Sequence, residues 1–306
     1  MLLLASAASA QAHGIAGNRY FPGTLTFDDP AVADEAFVPI YSRLEHPTTE
    51  GGDATDNALT FSFGRLLTPT LEIGGDTTWI NRQRAGFSTR KGLSSTHALI
   101  KALLYRNDPH EVLISGSFIA GIGGLGSKGV GSGGPYTLQP SITFGKGFGD
   151  LPDKVRWLRP FAIAGAVAPE FPINGRTKAL LYYPSEGQSR YGYVYNTDIV
   201  HWAFAVEFST LYLTSRFTGG PPKQEPLNQL VPLIEFPVDT TITGGNAINA
   251  ASMDPGLSYV GVVYQVAAEA IVPLNSRGGH GVGVTAGLEL FLDDLMPSLF
   301  ASPVFG

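Results

Sequence analysis

The stretch 199–209, IVHWAFAVEFS, alternates between two kinds of residue. Successive side chains of a β-strand point to opposite faces. One face of this stretch therefore carries Val200, Trp202, Phe204, Val206 and Phe208. The other face carries His201, Ala203, Ala205, Glu207 and Ser209. A continuous large apolar face opposite a small, partly ionisable face is typical of a strand with lipid outside and a polar interior inside.

The same period recurs along the chain. It covers 36–44, 57–67, 71–79, 97–105, 111–122, 136–144, 155–167, 199–209, 228–238, 255–260, 262–273 and 280–292. The segments 255–260 and 262–273 require a tight reversal at Gly261, since 256–274 is too long for one barrel strand of roughly ten residues. The pattern predicts an all-β fold, a transmembrane antiparallel up-and-down β-barrel of about 12 strands.

The connecting segments support this arrangement. Short turns at 68–69, 107–110, 149–153 and Gly261 fall on one side, predicted to be periplasmic. Long loops on the other side are 45–56, 84–93, 123–135, 169–198 and 242–254. The segment 210–227 is an exception, being long on the periplasmic side. The 169–198 loop carries Tyr182, Tyr183, Tyr191, Tyr193 and Tyr195, which could line a mouth or decorate the surface.

Composition limits the classes of protein that fit. Charged residues are 15% of the 306, well below the usual quarter, and no apolar run reaches the roughly 18 residues of a spanning helix. The net charge of −6 argues against a nucleic-acid partner. The absence of cysteine fits an exported bacterial protein.

The barrel prediction divides the chain into four parts. Residues 1–12 resemble a signal peptide ending in Ala10-Gln11-Ala12, although the missing basic n-region suggests a truncated start. An apolar N-terminal helix is the alternative, and cleavage would leave His13 as the first mature residue. The parts that follow are a periplasmic segment (13–35), the barrel (36–292) and a periplasmic tail (293–306).

Four acids near the start of the mature chain are candidate calcium ligands. They are Asp28, Asp29, Asp34 and Glu35, and carboxylates are the ligands that Ca²⁺ prefers. Their spacing lacks the EF-hand pattern, so solvated or capping roles are favoured. The sequence predicts no metal site and no cofactor.

If the apolar face points outward, the ionisable residues of the strands face the lumen. The predicted lumen residues are Glu72, Asp76, Lys101, His201, Glu207, Glu235, Glu269 and Glu289, together with His97. Facing lipid would be costly for these groups, whereas in a lumen they can be hydrated or paired with Lys101 and Arg156.

Two hypotheses fit this lumen. An acidic wall could line a path that favours cations, or ion pairs and water could plug the barrel without conduction. Twelve strands lie between filled eight-strand barrels and open sixteen-strand barrels, so size does not decide. The many Gly, Ala, Ser and Thr residues at inward positions leave space and favour a pore.

Several stretches resemble a little-characterised family of proteobacterial outer-membrane β-barrels. They are HGIAGNRYFPGTLTFDDPAVADE (13–35), GKGFGDLP (145–152), WLRPFA (157–162) and IVPLNSRGGHGVGV…LELFLDDLMP (271–297). The family is similar to barrel transporters associated with aromatic-degradation clusters of the phenol meta-pathway. The resemblance implies the outer membrane of a Gram-negative cell and passage of small molecules. It also implies outer-membrane lipids, lipopolysaccharide and the barrel-assembly machinery as partners, and it carries over no catalytic or binding residue.

One departure from many barrels is that the chain continues past Phe291 instead of ending on a terminal aromatic of the last strand. The sequence thus predicts an outer-membrane pore or transporter of unknown cargo. The alternative is a plugged structural or surface-interaction barrel.

A lipid-modifying enzyme is the least favoured function. The chain has no G-x-S-x-G elbow and no metal-ligand spacing. His201 and Glu207 lie six residues apart, which is roughly 20 Å along a strand, so they cannot form a catalytic pair. The sequence therefore predicts that the protein is not an enzyme.

Overall fold

The computed structural model describes residues 14–48, 52–130, 134–183, 188–210, 213, 229–243 and 248–305, and of residues 179–183, 189 and 248 it describes only the backbone. The strands within these ranges are β1 (Ile15–Ala16), β2 (Arg19–Tyr20), β3 (Glu35–Pro47), β4 (Asp53–Thr68), β5 (Leu71–Gln83), β6 (Arg90–Asn107), β7 (Val112–Gly121), β8 (Thr137–Gly147), β9 (Phe161–Pro172), β10 (Arg176–Tyr183), β11 (Gln188–Tyr195), β12 (Ile199–Phe208), β13 (Leu230–Thr241), β14 (Ile248–Val260), β15 (Tyr264–Pro273) and β16 (His280–Phe291). Two short helices follow, α1 (Leu292–Leu295) and α2 (Pro297–Phe300).

Twelve of these strands close into one barrel. Its order is β3 to β9 and then β12 to β16, with β16 returning to β3, and every neighbouring pair is antiparallel. The hairpin β10–β11 lies between β9 and β12 in the chain and forms a separate sheet. The predicted twelve-strand up-and-down barrel is confirmed.

The outward faces of the strands form an exposed apolar belt. Its large side chains include Phe61, Phe63, Ile73, Ile100, Phe118, Ile142, Val167, Trp202, Phe204 and Val284. Because this belt alternates with buried small or polar residues, the predicted outward side of the sheet is confirmed. No helix within the described ranges is long and apolar enough to cross a bilayer.

Two predicted boundaries are wrong. The strand predicted from 155 begins at Phe161, because 153–158 forms a 3₁₀ turn that takes Val155 and Trp157 out of the sheet. The loop predicted at 242–254 is shorter, since β14 begins at Ile248. Residues 249–251 lack the large apolar side chains of a strand signal, but pairing with β13 holds them in the sheet.

The tyrosine-rich loop forms the β10–β11 hairpin. Tyr191, Tyr193 and Tyr195 are exposed, and Arg176 and Lys178 lie over the rings of Tyr193 and Tyr191. The side chains of Tyr182 and Tyr183 lie outside what the structure describes. So do the signal-peptide prediction at 1–12, His13 and most of 210–227.

The tail after β16 lies against the outside of the barrel. Phe300 packs edge-on against Phe63, and the backbone N–H groups of Val304 and Phe305 bond to carbonyls of Leu66 and Leu67 at the end of β4. Phe305 is therefore not part of the last strand.

Residues 14–34 fill much of the lumen, and we refer to them as the plug. The sequence places this segment in the periplasm ahead of the barrel, and the structure corrects that prediction. The plug is largely buried and bonds to inward side chains of five strands, β5, β6, β7, β13 and β15, and to the backbone N–H of Leu66 at the end of β4. Because the barrel wall encloses this segment, the segment needs no regular alternation of apolar and polar residues.

Candidate functional site

Arg19 anchors the plug at the end of the lumen where β9 begins. Its guanidinium donates to the backbone carbonyls of Pro160, Arg159 and Phe161 at 2.9, 2.5 and 3.2 Å. Its Nε lies 3.3 Å from the carboxylate of Glu111, with both side chains buried. A buried arginine is tolerated only when its donors are satisfied in this way.

Small inward residues of the barrel make room for the plug. Phe21 and Ala16 pack against Leu113 and Ala162 in one fully buried cluster. Gly145 faces this cluster, and a Cβ added there would lie 2.8 Å from the Phe21 ring. Some of the space that the sequence attributes to a pore is therefore occupied by the chain itself.

The plug also satisfies buried polar groups of the wall. Glu235 accepts from the Thr26 hydroxyl and from the Leu25 N–H, the latter at 3.4 Å. Gln265 accepts from the Tyr20 hydroxyl at 2.9 Å and donates to the Gly23 carbonyl at 2.7 Å. These bonds fix the plug against β13 and β15.

Across the lumen, Lys101 and Glu72 hold the other side of the plug. They face each other in register on β6 and β5. The Lys101 Nζ lies 2.9 Å from Asp28 and 3.6 Å from Asp29, while Glu72 accepts from the Ala33 N–H at 3.1 Å. Asp34 caps this end by accepting from Arg65 and from the Leu66 N–H.

Two predicted lumen carboxylates have no hydrogen-bond partner among the described residues. Both oxygens of Glu207 and both of Glu269 are buried and unpaired. Glu289 is also buried, with Oε2 unpaired in the same part of the chain. Arg156, the sequence-predicted partner, is exposed in the 3₁₀ turn and not in the lumen.

The remaining predicted residues line the outer half of the lumen as histidine–carboxylate pairs. His97 Nδ1 lies 2.8 Å from Asp76 on the neighbouring strand. His201 lies 2.6 Å from Asp239 and 3.7 Å from Glu170. All of these side chains remain partly exposed, so water reaches this half.

A cavity of about 330 Å³ lies between the plug and the wall. Four carboxylates line it, those of Asp28, Glu35, Glu72 and Asp76, together with His97. The rings of Phe27 and Phe37 contribute apolar surface. This volume suits a small molecule, and the lining favours positive or neutral polar groups over anions.

The exposed, charged turn at 107–110 also holds the plug against the barrel. Asp108 accepts from the Gly17 N–H at 3.2 Å and from Arg106 at 2.7 Å. The Arg106 hydrogen bond holds the pKa of Asp108 below its usual value of 3.8. This contact is weak compared with that of Arg19 because it is open to water.

Four polar residues where the plug meets the barrel are absent from the sequence predictions. Arg19, Glu111, Asp254 and Gln265 are buried polar residues that no prediction included. Gln265 and Asp254 share the inward phase of the predicted glutamates, so strand period could have found them. Arg19 has no such signal, because its partners are backbone carbonyls 140 to 142 residues away.

No protein-family model matches this sequence, and no curated protein matches it. The chain is similar to solved β-barrels of very different sequence. The NanC porin is 7% identical, with 83% of this chain and 99% of that chain covered, at a TM-score of 0.43. The β domain of the Bordetella autotransporter BrkA is 12% identical, covering 84% and 99%, at 0.46. Outer membrane phospholipase A from Escherichia coli is 9% identical, covering 85% and 93%, at 0.39. At such values the likeness assigns no function and no residue.

Proposed function

We propose that the protein is an outer-membrane channel for small cationic or neutral polar molecules, closed on the periplasmic side by its own plug. The observation that carries this proposal is the carboxylate-lined cavity between the plug and the wall. Acidic linings of this kind favour cations in pores.

The proposal requires the plug to move. Its contacts with the wall include many hydrogen bonds and ion pairs, alongside buried apolar residues such as Phe21 and Val32. Polar contacts can be exchanged for water at modest net cost, about 0.5–1.5 kcal/mol for each hydrogen bond. A plug held in this way can open without unfolding the barrel.

Conductance of the purified, refolded protein in planar bilayers tests this function. Wild-type protein is expected to be mostly closed. Arg19→Gln removes the strongest plug anchor and should raise the open fraction by at least about tenfold, the effect of 1.4 kcal/mol. Arg82→Gln is the matched control, because Arg82 pairs with Asp56 on the wall, away from the plug.

Ion selectivity tests the role of the carboxylates. In the Arg19→Gln background, Asp76→Asn should lower the preference for cations, measured as a shift in reversal potential. Asp53→Asn, at the outer end of β4 beside His280, should shift it less. Folded, heat-modifiable Arg19→Gln protein that never conducts would reject the channel.

The second candidate is a permanently plugged barrel with a surface role. The buried bonds of Arg19, Gln265 and Lys101 favour it, and the exposed tyrosines of β10–β11 offer a contact surface. The bilayer experiment above separates the two candidates.

We propose transport rather than catalysis, since in the described part of the chain neither His97 nor His201 is hydrogen-bonded to a serine or threonine hydroxyl that could serve as a nucleophile. The resemblance to barrels associated with aromatic degradation adds neutral phenols to the cargo classes worth testing. Liposome swelling with phenol, a small amine and benzoate compares these classes, and benzoate is expected to enter most slowly.

A further inference from the structure

We propose that a calcium ion binds where the plug meets the seam of the barrel, between Asp29, Glu35 and Glu289. One carboxylate oxygen from each residue lies within 4.8 Å of the others. Oxygen ligands of a single Ca²⁺ sit at 2.3–2.6 Å from the ion, so they lie roughly 3–5 Å from one another. The spacing of the three oxygens therefore fits one shared ion.

The position of these residues in the fold is unusual. Glu35 begins the first barrel strand, β3, and Glu289 lies on the last, β16. In the register of that pair, Glu289 faces Phe37 and Phe291 faces Glu35, so the two carboxylates are diagonal neighbours on the inward face. Asp29 reaches them from the plug. An ion here would join the first strand, the last strand and the plug.

The unpaired state of Glu289 is a second observation that points to a ligand. Glu289 is 2% exposed, and its Oε2 has no hydrogen-bond donor in the part of the chain that the structure describes. That oxygen faces Gly23, where an added Cβ would lie 2.5 Å from it. Leaving a buried carboxylate without a partner costs several kcal/mol, and a bound cation removes that cost.

The nearest ammonium group does not balance the cluster. Lys101 is closest to Asp28, at 2.9 Å, and reaches Asp29 only at 3.6 Å. Three carboxylates share this single neighbouring cation with Asp28. The excess negative charge suits a hard divalent ion with oxygen ligands, and the loosely arranged set suits Ca²⁺ better than Mg²⁺, which demands a small octahedral site.

Isothermal titration of the full chain with CaCl₂ tests the site. The protein is refolded in detergent without lipopolysaccharide, whose phosphates bind Ca²⁺ themselves, and is treated first with EDTA. Wild-type protein should bind one Ca²⁺, and calcium should raise its unfolding temperature. Glu289→Gln should weaken the affinity at least about tenfold, because a ligand and a charge are lost.

Glu207→Gln is the matched control. Glu207 is equally buried and unpaired but lies outside the cluster, so its calcium affinity should stay within about twofold of wild type. Asp29→Asn is a second test variant that alters only the plug and leaves the barrel strands intact. It should weaken binding as Glu289→Gln does, in protein whose heat-modifiable mobility shows it to be folded.

Two results would overturn the proposal: no titration heat and no thermal shift with calcium, or equal loss of affinity in Glu207→Gln and Glu289→Gln. Binding is measured whether or not the barrel conducts, so failure of the channel proposal leaves this test intact.

Discussion

The two halves of the lumen are built on the same strands but differ in how their charges are satisfied. In the half that holds the plug, the wall residues Lys101 and Glu235 and the plug residue Arg19 are buried and bond across the contact between plug and wall. In the outer half, the pairs His97–Asp76 and His201–Asp239 join neighbouring strands of the wall and remain partly exposed. The difference shows that an inward-facing position in a strand does not by itself identify a residue that lines a pore. The same alternation produces a socket for the plug at one end and a wet vestibule at the other.

Removing a buried anchor of the plug should produce the largest difference in stability between the two halves. Arg19→Gln leaves Glu111 buried without its cation, which should lower the free energy of unfolding by about 3–5 kcal/mol. Arg82→Gln, in the partly exposed outer pair with Asp56, should cost about 1 kcal/mol or less. Urea unfolding in lipid vesicles measures both. Equal losses would show that the two halves are equivalent.

An added methyl group should destabilise the protein when it is placed in the plug but not when it is placed in an exposed loop. Gly23→Ala places a methyl group 2.5 Å from Glu289 and should destabilise the protein by about 1–3 kcal/mol. Gly175→Ala, in the exposed β10–β11 region, meets nothing within 4 Å and should change stability by less than about 0.5 kcal/mol. The same unfolding assay compares them, and a neutral Gly23→Ala would contradict the tight fit of the plug.

In the half of the lumen that holds the plug, a buried carboxylate without a partner should by itself lower the free energy of unfolding. Glu207→Gln removes a buried carboxylate without a partner and should raise the free energy of unfolding by about 1–2 kcal/mol. In the partly exposed half, Asp76→Asn weakens the pair with His97 and should lower the free energy of unfolding slightly. Opposite signs for these two variants are the expected result, and a destabilised Glu207→Gln protein would assign that glutamate an unseen partner.

The smallest effect concerns the exposed turn that contacts the plug. The pKa of Asp108 is held below 3.8 in the folded protein, so its stabilisation is present above that pH and is lost as pH falls through the lower folded value. After solvent screening the loss should be a few tenths of a kcal/mol. Comparing wild type with Asp108→Asn between pH 5 and pH 2 measures it. The two proteins should converge at the acid end, and a constant difference would exclude titration of Asp108 as the cause.

Strand period predicted most of the barrel because lipid imposes it residue by residue. Trp202, Phe204 and Ile142 must face outward whatever the chain does elsewhere, so the local pattern is sufficient. The strand start at Phe161 was mispredicted because Val155 and Trp157 imitate that pattern within a 3₁₀ turn. In β14, small residues gave no strand signal, and pairing across the sheet decided the structure.

The site was harder to predict because it depends on contacts between distant parts of the chain. The inward phase of Glu72, Glu235 and Glu289 is readable from period, but their partners in the plug are not. Thr26 lies 209 residues from Glu235, and Ala33 lies 39 from Glu72. The local spacing of Asp29 and Glu35 matches no calcium motif, because the third member of the cluster, Glu289, lies near the other end of the chain.

The plug is continuous with β3, and Asp34 is held by Arg65 and the Leu66 N–H at the point where the two meet. An opened plug therefore stays on a short tether, which keeps its effective concentration at its own socket in the millimolar range. Docking with an intrinsic dissociation constant of about 1 μM would then keep the barrel closed about 99.9% of the time. Weak individual contacts are enough for a tight seal, and a loss of affinity of about a thousandfold, or about 4 kcal/mol, would be needed to leave the barrel open half of the time.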